Sequence, residues 1–224
     1  GRPIVFSTSP GATPLSAGDN VSTNANMWRI SDDFWDNWKL LYAQFARVRD
    51  WTPYRGPGHW PDADMLPIGV LQMGRNHTHF TRDEQYTLMS LWSIARSPLM
   101  IGADLTKLDG FTLSLLTNDD VIAVDQASTH NHQLFQRDGF CAWVADVPGS
   151  PDKYLALFNT GSRQAAGSDA SGATIPVKMS ELGFAGPVTI QNLWTHQHLG
   201  AVTNEFAPPI PAHGAGLYRV SPQP

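Results

Sequence analysis

The stretch MWRISDDFWDNW at residues 27–38 changes character in its middle. Met27–Ile30 is predicted to be a short β-strand. Ser31 is a typical helix cap, and the two aspartates after it suit a first helical turn, where the dipole favours negative charge. The helix is then predicted to run to about Val48, on apolar residues at helical spacing: Phe34, Trp38, Leu41 and Phe45.

Strands and helices alternate through about residue 125. Two further helices are predicted, one capped by Thr81 and running to about Arg96, the other over Leu113–Leu116. Residues 11–24 are rich in small polar residues and are predicted to form a long loop. The alternation predicts a parallel α/β sheet, open or closed. The predicted strands are Ile4–Ser7, Met27–Ile30, part of His59–Leu66, and Leu99–Ile101.

The pattern changes near residue 130 to short β-type runs separated by turn residues. This predicts an antiparallel β-sandwich, with residues 161–173 as a surface loop. We therefore predict two domains, residues 1–128 and residues 129–224. The β-type runs are Leu134–Gln136, Phe140–Val144, Tyr154–Phe158, Val188–Ile190 and Gly216–Val220.

Composition excludes several classes of function. The 224 residues are 42% hydrophobic, enough for a core, and the net charge of −5 argues against binding nucleic acid. No apolar run reaches 18 residues, so no membrane span is predicted. Three His-x-His pairs begin at His77, His130 and His196, but the sequence shows no third ligand, and we expect no metal. No phosphate loop or dinucleotide fingerprint occurs, and we expect no cofactor.

Two groups of residues could carry chemistry. In the first, a strand delivers Trp28 and Arg29 and the next segment delivers Asp32 and Asp33. Active sites of parallel α/β folds form at the carboxyl ends of strands, and a desolvated carboxyl group there can act as a general acid. The alternative is that both aspartates only cap a helix.

The second group lies in GPGHWPDADM, residues 56–65, where Asp62 and Asp64 flank a predicted strand end beside Trp60. Paired carboxylates next to tryptophan suit a sugar site or a cation site. A Pro/Gly-rich turn stabilised by Asx hydrogen bonds explains the same pattern.

Five segments taken in order make the chain recognisable. The chain resembles glycoside hydrolase family 27, the α-galactosidases and α-N-acetylgalactosaminidases, along essentially its whole length. The resemblance implies the second half of a (β/α)8 barrel followed by an antiparallel β-sandwich. The segments are GRPIVFSTSPG, NMWRISDDFWDNW, GPGHWPDADMLPIG, LWSIARSPLMIGADL and NDDVIAVDQ.

The resemblance also implies a chemistry: double displacement by two aspartates with net retention. The family's acid/base lies four residues after the arginine of a Trp-Arg pair, which selects Asp33 rather than Asp32. Trp28 and Arg29 are then expected to bind substrate, with the charge of Arg29 facing sugar hydroxyls rather than a protein carboxylate. We further expect Arg29→Ala to leave the fold intact.

Three more residues receive substrate-binding roles from the resemblance. Asp64 and Met65 match the family's Asp-Met pair lining the pocket. Ser9 lies in the loop that contacts the substituent at C2 of the sugar. Many α-galactosidases have Cys-Glu-Trp there, and this chain has Thr-Ser-Pro. A small side chain leaves room for a larger C2 group.

The family's nucleophile lies on the fourth strand, in a Lys-x-Asp motif, and no such strand precedes Gly1. We therefore expect an N-terminal half-barrel, as a companion chain or a missing segment. Without it, the strands near Ile4 and Leu99 should expose unpaired edges and bare apolar side chains, and the chain should be inactive alone.

These observations predict a retaining α-glycosidase that hydrolyses terminal α-linked galactose-type residues of oligosaccharides or glycosides. The alternatives are an α-N-acetylgalactosaminidase, an isomaltodextranase-like hydrolase of another α-glycan, and a non-catalytic sugar-binding fragment. We expect the protein to be secreted or periplasmic.

Overall fold

The computed structural model describes residues 1–71, 76–161 and 172–223. The chain forms two compact units, one of residues 1–80 and 95–113 and one of residues 81–94 and 114–224. None of the helices within the described ranges is long and apolar enough to cross a membrane. The helices are α1 (Gly18–Asn24), α2 (Trp38–Trp51), α3 (Arg82–Ala95), α4 (Gly110–Leu116) and α5 (Asp119–Ala127).

Strands make up much of the second unit and little of the first. The strands are β1 (Ser7–Thr8), β2 (Met27–Arg29), β3 (Trp60–Asp62), β4 (Val70–Leu71), β5 (Asn76–His77), β6 (Thr129–Arg137), β7 (Phe140–Asp146), β8 (Lys153–Asn159), β9 (Ala173–Thr174), β10 (Val177–Lys178), β11 (Val188–Asn192), β12 (His198–Val202), β13 (Glu205–Phe206), β14 (Pro209–Ile210) and β15 (Ala215–Pro222). The predicted domain boundary between residues 128 and 129 lies between α5 and β6, and it stays a prediction.

The first unit contains a parallel sheet in the order β1-β2-β3. In its register Trp28 pairs with Thr8 on one side and Pro61 on the other, and Arg29 lies beside Asp62. Parallel strands joined through helices are the arrangement expected of an α/β region. Together with the antiparallel sandwich that follows it, this confirms the predicted fold class.

The outer predicted strands are largely wrong. Only Ser7 of the run Ile4–Ser7 is in a strand, and the preceding side chains Ile4, Val5 and Phe6 are 78%, 72% and 55% exposed. Leu99–Ile101 forms no strand and contributes one parallel bridge, from Ile101 to Leu66. Apolar runs predict buried strands only where a neighbour pairs with them, and here each run has little or no pairing.

The helix predicted to follow a cap at Ser31 begins six residues later than expected, at Trp38. Its N-cap is Asn37, whose side-chain oxygen accepts a hydrogen bond from the Lys39 amide at 2.9 Å. The Ser31 hydroxyl is buried and has no hydrogen-bond partner among the described residues. The Phe34 amide instead donates to the Asp64 carboxylate, a tertiary bond that replaces the predicted cap. The predicted apolar stripe is confirmed in part: Leu41 and Phe45 are buried, Trp38 is half-buried, and Phe34 is buried but lies before the helix.

The loop predicted over residues 11–24 contains a 3-10 turn, Leu15–Ala17, and then helix α1. No apolar stripe marks this helix in the sequence. Its first residue, Gly18, packs against the ring of Tyr54, which lies 2.4 Å from the position a Cβ would occupy. Close tertiary packing can stabilise a helix that local propensity does not favour.

The second unit confirms the predicted helix cap and the predicted β-type runs. The predicted cap of α3 is present, since Thr81 and Glu84 bond reciprocally through side chain and backbone. All five predicted β-type runs lie in strands of a six-stranded antiparallel sheet with the order β12-β11-β15-β8-β7-β6. The loop predicted over residues 161–173 lies mostly outside the described residues.

Alternate residues of the six-stranded sheet face a second layer of short strand pairs, β10-β13 and β14-β9. The period of two places one set of side chains on the inner face, where they are buried. The sheet therefore packs as one layer of a sandwich. The inner set is Ala142, Val144, Leu155, Leu157, Val188, Ile190, Tyr218 and Val220, packed with Ile175, Val177, Met179, Leu182, Phe206 and Ile210.

The two candidate caps of α2 make a matched pair of variants. Asn37→Ala removes a bonded cap and is expected to lower the free energy of unfolding by about 1 kcal/mol. Ser31→Ala removes a hydroxyl that has no partner and is expected to leave stability unchanged or slightly raised. Urea denaturation of both variants measures the difference. A larger loss in Ser31→Ala would restore the cap predicted from the sequence.

Candidate active site

The carboxyl ends of β2 and β3 meet at one edge of the parallel sheet. Arg29 is the last residue of β2 and Asp62 is the last residue of β3. The Ile30 amide donates to the Asp62 carbonyl at 2.9 Å, which keeps the two chains together one residue further. Beyond this point the chains diverge into the segments that carry the two predicted groups of acids. The structure therefore brings those groups together.

Arg29 is buried, and an ion pair anchors its guanidinium. Its Nη2 lies 2.8 Å from Oδ2 of Asp64, and donates to the carbonyl of Ser31 at 3.0 Å. The expectation that this charge faces sugar hydroxyls rather than a protein carboxylate is therefore wrong for Nη2. The reason is that a buried guanidinium needs a counter-charge. Its Nε is buried without a hydrogen-bond partner among the described residues, which leaves one donor uncommitted.

Asp64 uses both carboxylate oxygens within the protein. Oδ1 accepts from the Met65 amide at 2.7 Å, and Oδ2 accepts from the Phe34 amide at 2.8 Å in addition to its pairing with Arg29. Its backbone lies in the left-handed region with φ at 82°. Asp64 therefore links the segment after β3 to the loop that carries Asp33.

Asp33 is the exposed acid of the site, with 86% of its side chain accessible. Its Oδ1 lies 3.6 Å from Nη2 of Arg29. The predicted position in a first helical turn is wrong, since α2 begins only at Trp38 and Asp33 lies in the loop before it. Its carboxylate is therefore open to an incoming ligand, beside one buried cation.

The carboxylate of Asp32 is bound within the protein by a hydrogen bond. Its Oδ1 accepts from the Ala12 amide at 3.1 Å, which ties the loop after β1 to the loop after β2. Gly11 sits between them with φ at 95°, and a Cβ there would lie 3.0 Å from the same oxygen. Ser9, the residue predicted to face the C2 substituent, is exposed in this tied loop. The two adjacent aspartates thus have distinct environments.

The other predicted site residues divide into one near the site and one in the core. Met65 follows Asp64 directly, is half-buried, and its sulfur lies 2.5 Å from the position of a Cβ on Gly102. Trp28 is fully buried, and its ring packs 5.8 Å from that of Trp51. Because adjacent strand residues point to opposite faces, Trp28 lies in the core, which contradicts its predicted contact with substrate.

Asp62 is the site residue to which the sequence assigned no specific role. It is buried, and its Oδ1 accepts from the Asp64 amide at 2.9 Å. Burial raises the pKa of this carboxyl above its ordinary value, the bond from Asp64 opposes that effect, and the neighbouring Asp64 charge adds to it. The spacing Asp-x-Asp was visible in the sequence, but the direction of the bond was not.

The histidine pairs have carboxylate partners that sequence spacing did not reveal. His79 pairs with Asp36 at 2.7 Å, and His130 pairs with Asp146 at 2.8 Å. In the part of the chain that the structure describes, no group of three or more His, Cys, Asp or Glu side chains is arranged to hold a metal ion.

Arg29→Ala is expected to lower the free energy of unfolding by about 2–3 kcal/mol, because the mostly buried Asp64 carboxylate loses its positively charged partner and keeps only its amide donors. This replaces the expectation of an intact fold. Arg49→Ala is the control, since Arg49 pairs with Asp50 at 2.8 Å on the surface and surface pairs contribute little. Denaturation of the two variants side by side tests the difference, and equal losses would contradict it.

Comparison with known proteins agrees with this architecture. Residues 1–127 match the family model described as α-galactosidase A, and residues 138–220 match the model of the α-galactosidase C-terminal β-sandwich domain. The chain is 38% identical to a β-L-arabinopyranosidase of Geobacillus stearothermophilus crystallised with arabinose, covering 100% of this chain and 52% of that one with a TM-score of 0.92.

Two further relatives carry other descriptions. A putative α-N-acetylgalactosaminidase from Bacillus halodurans is 34% identical, with a TM-score of 0.80, over 100% of this chain and 51% of its own. An α-galactosidase of Oryza sativa subsp. japonica is 30% identical over 203 residues, 88% of this chain and 44% of its own length. The chain thus spans about half the length of the relatives it matches. The chain belongs to glycoside hydrolase family 27, the α-galactosidase A family, and comprises part of its α/β catalytic region together with its C-terminal β-sandwich domain.

Proposed function

We propose that the protein containing this chain is a retaining glycosidase that hydrolyses terminal α-linked galactose-type residues, with this chain supplying the acid/base, Asp33. The observation that carries the proposal is the position of Asp33. It is an exposed carboxylate 3.6 Å from the buried Arg29, at the carboxyl edge of a parallel sheet. Enzymes built on parallel α/β barrels place catalytic groups at this edge.

The two chemical steps make different demands on Asp33. In the first, its protonated carboxyl donates a proton to the glycosidic oxygen while a nucleophile attacks the anomeric carbon and the C–O bond breaks. In the second, the carboxylate takes a proton from the water that attacks the same carbon and displaces the nucleophile. A side chain open to solvent can meet the leaving group and then the water. A carboxylate committed to backbone amides, as that of Asp64 is, serves this exchange less well.

Asp33→Asn tests the assignment against its neighbour. The amide cannot donate or accept the proton, so kcat/KM on glycosides with poor leaving groups is expected to fall by a factor of about 10²–10⁴. Activated aryl glycosides should be less affected, and added azide should restore part of their turnover by attacking the glycosyl-enzyme in place of activated water.

Asp32→Asn is the matched control, because it keeps an oxygen that can accept from the Ala12 amide. Its effect on hydrolysis should be small and should not depend on the leaving group. A larger loss in Asp32→Asn than in Asp33→Asn would move the acid/base by one residue.

We also propose that the nucleophile is carried by a segment outside this chain. Retention needs two carboxyl groups about 5 Å apart across the anomeric carbon. Within the described site, Asp64 is committed to Arg29 and two amides, and Asp62 is buried. The bare side chains of Ile4, Val5 and Phe6 beside the edge strand β1 fit an adjoining half-barrel.

Residues 1–224 expressed alone are therefore expected to show no hydrolysis and to associate through this apolar edge. Adding a half-barrel that carries the missing carboxylate, as a companion chain or a fused segment, should restore activity. Light scattering and an aryl-glycoside assay measure both properties. A monodisperse, active 224-residue chain would contradict the proposal.

A β-L-arabinopyranoside is a second candidate substrate, favoured by the 38% identity over the whole chain to a β-L-arabinopyranosidase. That sugar has the ring hydroxyl configuration of α-D-galactopyranose and lacks the hydroxymethyl group (C6) that galactose carries on C5. The same acid/base and the same edge of the sheet serve either substrate, so the choice concerns the part of the pocket around C6.

A set of nitrophenyl glycosides separates the candidates: the α-galactoside, its 2-acetamido analogue and the β-L-arabinopyranoside. Because Ser9 is small and exposed, the 2-acetamido analogue should be cleaved within about tenfold of the parent sugar. Ser9→Glu should selectively reduce its cleavage, while Ser9→Ala should not. A strong preference for the unsubstituted galactoside in the unmodified protein would contradict the C2 prediction.

A further inference from the structure

We propose that Asp62 is a positioning residue for the reaction: it holds Asp64 in the backbone conformation from which Asp64 fixes both Arg29 and the peptide next to Asp33. The inference rests on the proposed role of Asp33 and extends it to a residue with no assigned task. Asp62 is not proposed to touch substrate.

The backbone of Asp64 is the first step of the argument. Its φ of 82° lies in the left-handed region, which is uncommon for residues other than glycine and which aspartate enters more readily than most. The Asp62 Oδ1 accepts from the Asp64 amide at 2.9 Å and closes a local Asx-type turn. This bond stabilises the left-handed conformation.

The second step is what this conformation permits. From it, Oδ2 of Asp64 reaches the Phe34 amide and Nη2 of Arg29, each at 2.8 Å. The Phe34 amide belongs to the peptide bond that begins at the carbonyl carbon of Asp33. Fixing that peptide fixes the backbone from which the Asp33 side chain projects. The Arg29 guanidinium, 3.6 Å from Asp33, is fixed by the same oxygen.

The third step concerns Asp62 itself. It is 8% exposed at the end of β3, and its carbonyl accepts from the Ile30 amide at 2.9 Å. The backbone of Asp62 is therefore anchored to the segment after β2, and its side chain reaches forward to Asp64. Because burial raises the pKa of this carboxyl, the surroundings disfavour its charge. The property that the site needs from Asp62 is an acceptor oxygen at Oδ1, and a neutral amide supplies one.

These contacts predict a difference between two variants. Asp62→Asn keeps the acceptor, and Asp62→Ala removes it. In the Ala variant the Asp33 loop loses its fixed attachment, and a displacement of about 1 Å at a reacting group can lower a rate by about 10²-fold. The loss should appear only where proton donation matters. A role limited to stability would reduce hydrolysis of every substrate equally.

The experiment uses the protein assembled with its nucleophile-bearing half. The kcat/KM is measured for a methyl glycoside, a poor leaving group, and for a dinitrophenyl glycoside, which needs no acid. Asp62→Ala is expected to reduce the first by about 10–100-fold and the second by less than about threefold. Asp62→Asn should stay within about threefold of the parent on both. Asp152→Ala, which breaks a partly buried pair with Arg219 in the second unit, is the control and should show no dependence on leaving group.

Amide hydrogen exchange supplies a readout that does not depend on activity. The Phe34 amide should exchange at least about tenfold faster in Asp62→Ala and remain protected in Asp62→Asn. If Asp62→Ala cannot be purified, Asp62→Val, which is closer to Asp in size and likewise has no acceptor oxygen, should show the same pattern. Equal losses on both glycosides, identical behaviour of the Asn and Ala variants, or unchanged exchange at Phe34 would overturn the proposal. A parent protein that cleaves no glycoside would instead refute the proposed function, and the exchange data would still decide whether Asp62 holds this loop.

Discussion

The ion pair between Arg29 and Asp64 is the constraint around which the site is built. A guanidinium at the end of a parallel strand lies where water is largely excluded, and the cost of burying it must be offset by a partner of opposite charge. Asp64 provides that partner at 2.8 Å, and the same oxygen binds the Phe34 amide. One carboxylate therefore neutralises a buried cation and also fixes the backbone path of the segment after β2. The loop over residues 31–37 is irregular because its Phe34 amide bonds to this carboxylate instead of to a helical carbonyl.

This competition explains why the sequence predicted the fold better than it predicted the loop. Ser31 followed by two aspartates is a good local signal for a helix start, and nothing nearby in the sequence argues against it. The contradicting group, Asp64, lies 30 residues from the amide that it binds. Local patterns cannot show a partner at that separation. The true cap, Asn37, was present in the sequence but was masked by an apparently complete signal upstream.

The sandwich was predictable for a related reason. Two of its inner strands, β7 and β8, are buried over consecutive residues, Cys141–Ala145 and Tyr154–Asn159, so a continuous apolar run between turn residues is a reliable sign of a buried strand. The strands of the parallel sheet are two or three residues long, too short for a period to appear. Their apolar character indicated burial, which holds for the central strand and fails for Ile4, Val5 and Phe6.

The site residues show the same division. Asp33 was distinguished from Asp32 only through the family resemblance, since the residues alone left both as possible helix caps. The structure gives the two aspartates different surroundings: Asp32 is bound to the Ala12 amide, and Asp33 is exposed beside Arg29. The sequence predicts that Trp28 contacts substrate because it is a tryptophan next to Arg29, yet alternation along β2 places it on the buried side. Asp62 could not be ranked, since its contribution depends on the positive φ of the residue two positions later.

Asp32 connects two loops of the candidate site. A hydrogen bond from the Ala12 amide to Asp32 Oδ1 joins the loop that carries Ser9 to the loop that carries Asp33. Gly11, with φ at 95°, allows the first loop to approach closely, and a Cβ there would be only 3.0 Å from that oxygen. A change in the backbone of the Ser9 loop is therefore expected to move Asp32, the residue next to Asp33. On the other side of Asp33, the Phe34 amide donates to Asp64, and this bond limits how far the Asp33 backbone can move. Asp33 is thus held between two carboxylate contacts from different parts of the chain, so the loop that carries Ser9 can vary in side chain more easily than in backbone path.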